Sequence, residues 1–176
     1  MMDPLADETD EPILVTGWRG RYERDALIEA LASATADRSA HLQAFDPGAV
    51  YGAPHLEAAA RRALRAHRED RPIARDLGAE IACYAASTDQ IDDALAAVGV
   101  PAEGDALVVC AVGEDAEPAL ADARQTLCLE PDEDVVDADE AALDRIGVEP
   151  AMREHVAARD WAQLAVEQVA LLDARR

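Results

Sequence analysis

Apolar residues recur along this chain at two spacings, every second position or every third and fourth, and the two patterns alternate. "PILVTGWRG" at 12–20 reads as a short strand ended by Gly17 and Gly20. "ERDALIEALASA" at 23–34 sets Leu27, Ile28 and Leu31 on one side of a helix, and "AHLQAFD" at 40–46 alternates as a second strand stopped by Asp46-Pro47-Gly48. Three helical segments follow with little between them. The first runs from Pro54, a residue suited to a first helical turn, to His67. The second carries Ile73, Leu77, Ile81 and Tyr84 at helical spacing. The third, "TDQIDDALAAVG", opens with Thr88 or Asp89 as N-cap and closes at Gly99.

"DALVVCAVG" at 105–113 is the strongest strand signal, a buried apolar run between turn residues. "EDAEPALADARQTL" is helical, with Pro118 near its start, where a missing N–H does no harm. "EPDEDVVDADE" reads as an acidic connection, "DEAALDRIGV" as a short helix stopped by Gly147, and 150 to about 172 as one last helix. No repeat or linker divides this order. Residues 12–173 therefore read as one compact α/β (α+β) domain, with about seven helices packed on a few-stranded mixed or antiparallel sheet. Residues 1–11, acidic and aperiodic, are expected to form a disordered tail.

Half of the residues are apolar but only 3% are aromatic, so the core must be built from small aliphatic side chains. The 16 basic residues are all Arg, set against 37 acids for a net charge of -21. Such a composition resembles that of salt-in halophiles, where roughly molar salt cuts the Debye length to about 3 Å and screens self-repulsion. Cys83, Cys110 and Cys128 show no metal-ligand or disulfide spacing and read as small buried hydrophobes of a reducing cytosol. The opening "MMDPLADETDEP" lacks the basic and apolar regions of a signal peptide, and no run approaches the roughly 20 apolar residues of a membrane span. A cytoplasmic protein without a membrane partner is expected.

Tools of catalysis are hard to find. "GWRG" is not a phosphate-cradling glycine loop, there is no GxSxG elbow, and the four histidines form no metal-binding pair. The run 130–140 lacks the turn glycine and terminal Glu of a calcium loop. Glu80 and Tyr84 stand one helical turn apart and could pair. No catalytic residue, metal or cofactor is expected.

One stretch departs from the acidity: Arg61, Arg62, Arg65, Arg68, Arg71 and Arg75 crowd together, with Glu57, Glu69 and Asp70 the only acids from 57 to 75. On a helix Arg61, Arg65 and Arg68 fall at i, i+4 and i+7 and share a face, opposite a stripe of Leu56, Ala60, Ala63 and Leu64. A solvated face, with Glu57 and Arg61 as an ordinary pair, is one reading of that row. Contact with RNA is the other, since guanidinium binds phosphate bidentately and stacks on unpaired bases.

"FDPGAVYGAPHLEAAARRALRA" at 45–66, followed by "IARDLGAEIACYAASTDQIDDALAAVGV" at 73–100, resembles the signature of the PRPK-binding (TPRKB-like) small regulatory subunit of the KEOPS complex. "EQVALLDA" at 167–174 is similar to that family's C-terminal helix, and Asp89 stands where the family's pattern has Arg. The resemblance implies a non-catalytic subunit that docks on an atypical kinase/ATPase, in an assembly that makes threonylcarbamoyladenosine in tRNA. It also implies help in recruiting tRNA by its single-stranded 3′ end, with no DNA partner.

The candidate RNA-binding residues are accordingly Arg61, Arg65, Arg68, Arg71 and Arg75, together with His55, which either packs at a helix start or lines the same surface. Leu164, Val169, Leu171 and Leu172 of the last helix are the candidate partner contacts, because its apolar surface is wider than one stripe. Two rivals stay open. A free-standing small-molecule enzyme or binding domain would show one large apolar pocket with converging polar groups. A scaffold without RNA contact would leave the arginines solvated.

Overall fold

The computed structural model describes residues 11–176; the expected acidic tail lies outside the described residues apart from Glu11. Its centre is β3 (Glu103–Val112), which pairs antiparallel with β1 (Ile13–Glu23) on one side and β2 (His41–Phe45) on the other. A two-residue strand, β4 (Glu130–Pro131), adds to the far edge of β1 at Trp18 and Arg19, giving the order β2-β3-β1-β4. All pairings are antiparallel.

Antiparallel sheets often leave one face to water, but this one is covered on both. Leu107, Val109 and Ala111 of β3 pack with Trp18, Tyr22, Leu27 and Leu31 under α1 (Arg24–Thr35) and α5 (Ala116–Thr126). Val108, Cys110 and Val112 point the other way, into a larger core beneath α2 (Gly52–Arg68), α3 (Leu77–Ala86) and α4 (Ile91–Val98). Alternation with period two thus serves two cores at once, and residues 107–112 have no exposed surface.

Four expectations change in three dimensions. β1 does not end at its glycines: it runs on to Glu23 through an irregularity between Arg19 and Tyr22, where Gly20 takes φ 136°, a value ordinary side chains avoid. Ile28 is 56% exposed, since the inward stripe of α1 is Leu27, Ala30, Leu31 and Ala34. Ile73 precedes its helix, because the Asp76 carboxylate accepts from the Ala79 N–H and starts α3 at Leu77. Cys128 is exposed at φ 55°, whereas Cys83 and Cys110 are buried.

The last helix is broken. After α6 (Glu140–Arg145) come a single turn, α7 (Pro150–Arg153), and then α8 (Trp161–Arg175), separated by an extended Ala157 and a 3-10 turn at Ala158–Asp160. Residues 151–160 offer no apolar stripe to bury. Arg153 instead pairs with Glu140 and Asp144 of α6, and the Trp161 indole N–H donates to the Val156 carbonyl at 3.2 Å, closing the bend. Among the described residues there are eight α-helices, and none is long and apolar enough to cross a membrane.

Candidate functional site

The arginine row belongs to α2, whose inner face is made of Leu56, Ala59, Ala60, Ala63 and Leu64, all buried. Ala at most of these positions lets α2 lie close against α3 and α8. With that face fixed, Arg61, Arg65 and Arg68 must point outward, and each is exposed. The helix ends in a Schellman turn. Asp70 takes the left-handed conformation at φ 55°, and the Arg71 N–H returns to the Ala66 carbonyl at 3.0 Å.

The loop from 69 to 76 that follows is anchored from below and from the side. Glu80, fully buried on α3, accepts the Ala74 N–H at 2.6 Å, so it does not pair with Tyr84 as its spacing suggested. Arg176, past the end of α8, donates to the Arg71 carbonyl at 2.7 Å. Arg71 itself is engaged: its Nε donates to Glu69, which also accepts Arg65 Nε at 2.8 Å, and its Nη1 lies 3.8 Å from Asp173. The two hydrogen bonds from Arg65 and Arg71 hold the Glu69 carboxyl below the usual carboxylate range.

Asp173 is a junction that no sequence spacing announces. Its carboxylate accepts the Tyr84 hydroxyl of α3 at 2.6 Å and Arg62 of α2 at 2.8 Å. Burial alone would raise its pKa; the hydrogen bonds from Tyr84 and Arg62 outweigh that and hold it low. Tyr84 is pushed up, mainly by burial and further by this bond. Arg62, left out of the sequence-based set, is thereby a structural ion-pair partner.

Arg61 makes the expected pair with Glu57, at a loose 3.8 Å. Arg68 and Arg75 make no ion pair among the described residues, and both line a cleft of about 330 Å³ together with His41, His67, Leu64 and Leu77. Glu11 and Asp76 line it too, so the cleft is mixed in charge but holds two uncommitted guanidiniums. A second cleft, of about 650 Å³, is lined by Arg21, Tyr22, Glu23, Glu103, Gly104 and Asp105, a charged wall at the far end of β1 and β3.

His55 does not belong to the arginine surface. It is fully buried: Nδ1 accepts the Tyr51 N–H at 3.2 Å and Nε2 sits 2.9 Å from the Ala85 carbonyl. Of its two readings, packing at the helix start is the one its burial and hydrogen bonds match.

The set proposed for partner contact divides similarly. Ala165, Gln168, Val169 and Leu172 form the stripe of α8 that faces the core, so Val169 and Leu172 are interior residues and not docking contacts. Leu164 is half-buried against the core, and Leu171 is 38% exposed. The same 100° per residue that buries Leu172 turns Leu171 outward. Met152 of α7 is a further exposed apolar side chain in the C-terminal segment.

Among curated proteins none matches this chain. The family model described as kinase binding protein CGI-121 matches residues 23–165, from the end of β1 into α8, which takes in most of both cores and the whole arginine row. The chain belongs to that kinase-binding family.

Proposed function

We propose that this protein is a non-catalytic regulatory subunit of a KEOPS assembly, which docks on the kinase/ATPase through the outward side of α8 and holds tRNA on the arginine row of α2. Membership of a kinase-binding family supports the first half. The second half rests on one observation: in a chain of net charge -21, Arg61, Arg65 and Arg68 share an exposed face, and Arg68 and Arg75 have no acidic partner among the described residues.

The chemistry suits a single strand. Guanidinium offers phosphate two parallel N–H donors and can lie flat on an unstacked base, contacts that salt weakens less than it weakens bare charge. An unpaired 3′ tail exposes both phosphates and base faces, and the cleft beside Arg68 and Arg75 has Leu64 and Leu77 in its lining. Cytoplasmic location and a salt-rich cell interior fit the all-arginine, acid-rich composition.

Purification from native extract at high salt, with identification of bound protein and RNA, tests the reading. The kinase and tRNA should co-purify. Replacing Arg61, Arg65 and Arg68 together with Gln should lose tRNA and keep the kinase, and trimming the 3′ tail from the tRNA should cost at least as much affinity. Equal binding of intact and trimmed tRNA at molar salt would refute the RNA half.

A further inference from the structure

The two proposed surfaces lie on different helices, yet a carboxylate of α8, Asp173, accepts a hydrogen bond from Arg62 of α2. Asp173 sits in the last turns of α8, two residues past the exposed Leu171. Leu171 and Asp173 point to roughly opposite sides of the helix, one to solvent and one toward α2 and α3. From Asp173 an unbroken series of charged contacts reaches the arginine row: Arg71 at 3.8 Å, then Glu69 bridging Arg71 and Arg65. Arg176 adds a second tie from the same helix end to the carbonyl of Arg71.

We infer that Asp173 is a positioning residue through which a partner seated on α8 orders the 69–76 loop and so prepares the arginine surface for its ligand. The physical reason lies in how the last turns of α8 are held. The turn that carries Asp173 and Arg176 is tied to α2, α3 and the 69–76 loop by polar contacts, and segments held by few buried apolar contacts are the first to open locally. When that turn opens, Asp173 and Arg176 leave together, and the ion pair left to the Arg71 side chain among the described residues is the one with exposed Glu69. A partner covering Leu171 fixes the turn from outside. The entropy of ordering the loop is then spent before RNA arrives, which is cooperativity without a change of shape. Linkage makes the effect mutual: whatever factor the kinase adds to tRNA affinity, tRNA adds to kinase affinity.

This coupling rests on the two-surface reading above, and its test separates the two. Amide hydrogen exchange is followed in the whole protein, free and saturated with its co-purified kinase, and binding of unfractionated tRNA is titrated in both states. Exchange at Arg71 and Ala74 should slow by about fivefold or more when the kinase binds, and tRNA affinity should rise by a comparable factor. Asp173→Asn should still bind the kinase but lose the slowing at 69–76. Should that variant fail to fold, Tyr84→Phe, which keeps the carboxylate and deletes its shortest hydrogen bond, should cut the slowing at least twofold. Protection of the loop with no tRNA binding in either state overturns the RNA reading and leaves the ordering intact. Exchange at 69–76 that the kinase leaves unchanged, or that slows equally in the variants, overturns the role of Asp173.

Discussion

His55 and Ala85 face each other at 2.9 Å across the α2–α3 contact, the imidazole Nε2 donating to the carbonyl while Nδ1 accepts the Tyr51 N–H. The ring is therefore neutral, and a second proton would have to sit on Nδ1, against another donor. Burial lowers its pKa to about 4, partly opposed by the bond to Ala85. An unfolded chain takes up that proton near 6.5, so between about 6.5 and 4 the unfolded state binds more protons and stability falls as pH falls. The loss should approach roughly 3 kcal/mol over that window. Urea midpoints at pH 7 and pH 4 measure it, and His55→Gln should reduce the difference.

Leu171 and Leu172 are neighbours with opposite fates. Leu171→Arg should melt within a few degrees of the parent and lose the kinase, because a guanidinium in an interface core costs much and one in water costs little. Leu172→Ala should cost about 2–5 kcal/mol, as for other buried leucines. A folded Leu171→Arg protein that still co-purifies with the kinase would move the docking face elsewhere.

Arg68 offers the cleanest electrostatic measurement, having no acidic partner among the described residues. If it neutralises one phosphate of a single strand, Arg68→Gln should reduce the log-log salt slope of tRNA affinity by about 0.7. Thermal stability should not change. An unaltered slope would place Arg68 off the RNA path.

Gly17 pairs with Val108 and lies beneath the 3-10 turn at 133–136. A Cβ there would come within 2.3 Å of the Asp132 carbonyl oxygen and 2.8 Å of the Val135 side chain. Both neighbours must move, so Gly17→Ala should cost about 1–3 kcal/mol in urea unfolding. A neutral result would mean that the 132–136 segment shifts freely.

What could be read in advance tracks how local its cause is. The buried alternation of residues 107–112, the apolar stripe of α2 and the outward arginines follow from period and composition alone. β4 could not be read, since two residues, Glu130 and Pro131, become a strand only because Arg19 and Trp18 lie beside them. The break before α8 hid for a similar reason: helix propensity over 151–160 is adequate, and what decides is that Met152 and Val156 are its only large apolar side chains, too few for a continuous buried stripe. Arginine count overstated the site, because Arg62 and Arg71 serve Asp173, a residue over a hundred positions away from Arg62. Spacing on one helix suggested Glu80 with Tyr84, but both reach off the helix instead, to Ala74 and to Asp173.

The place of β3 at the middle of the sheet imposes an order in time. Neither β1 nor β2 pairs with the other; each finds its first-made partner in residues 103–112, and β1 gains the two-residue β4 later still. On a ribosome adding roughly 5–20 residues per second, both early strands wait on the order of seconds before that partner is made. Throughout the wait Trp18, Leu27, Leu31 and Phe45 lack the surface that will cover them, while the strand edges stand open. A nascent chain halted before residue 103 is therefore the form of this protein that most needs a chaperone, whereas one whose residues 103–112 have left the ribosome can already pair its three long strands.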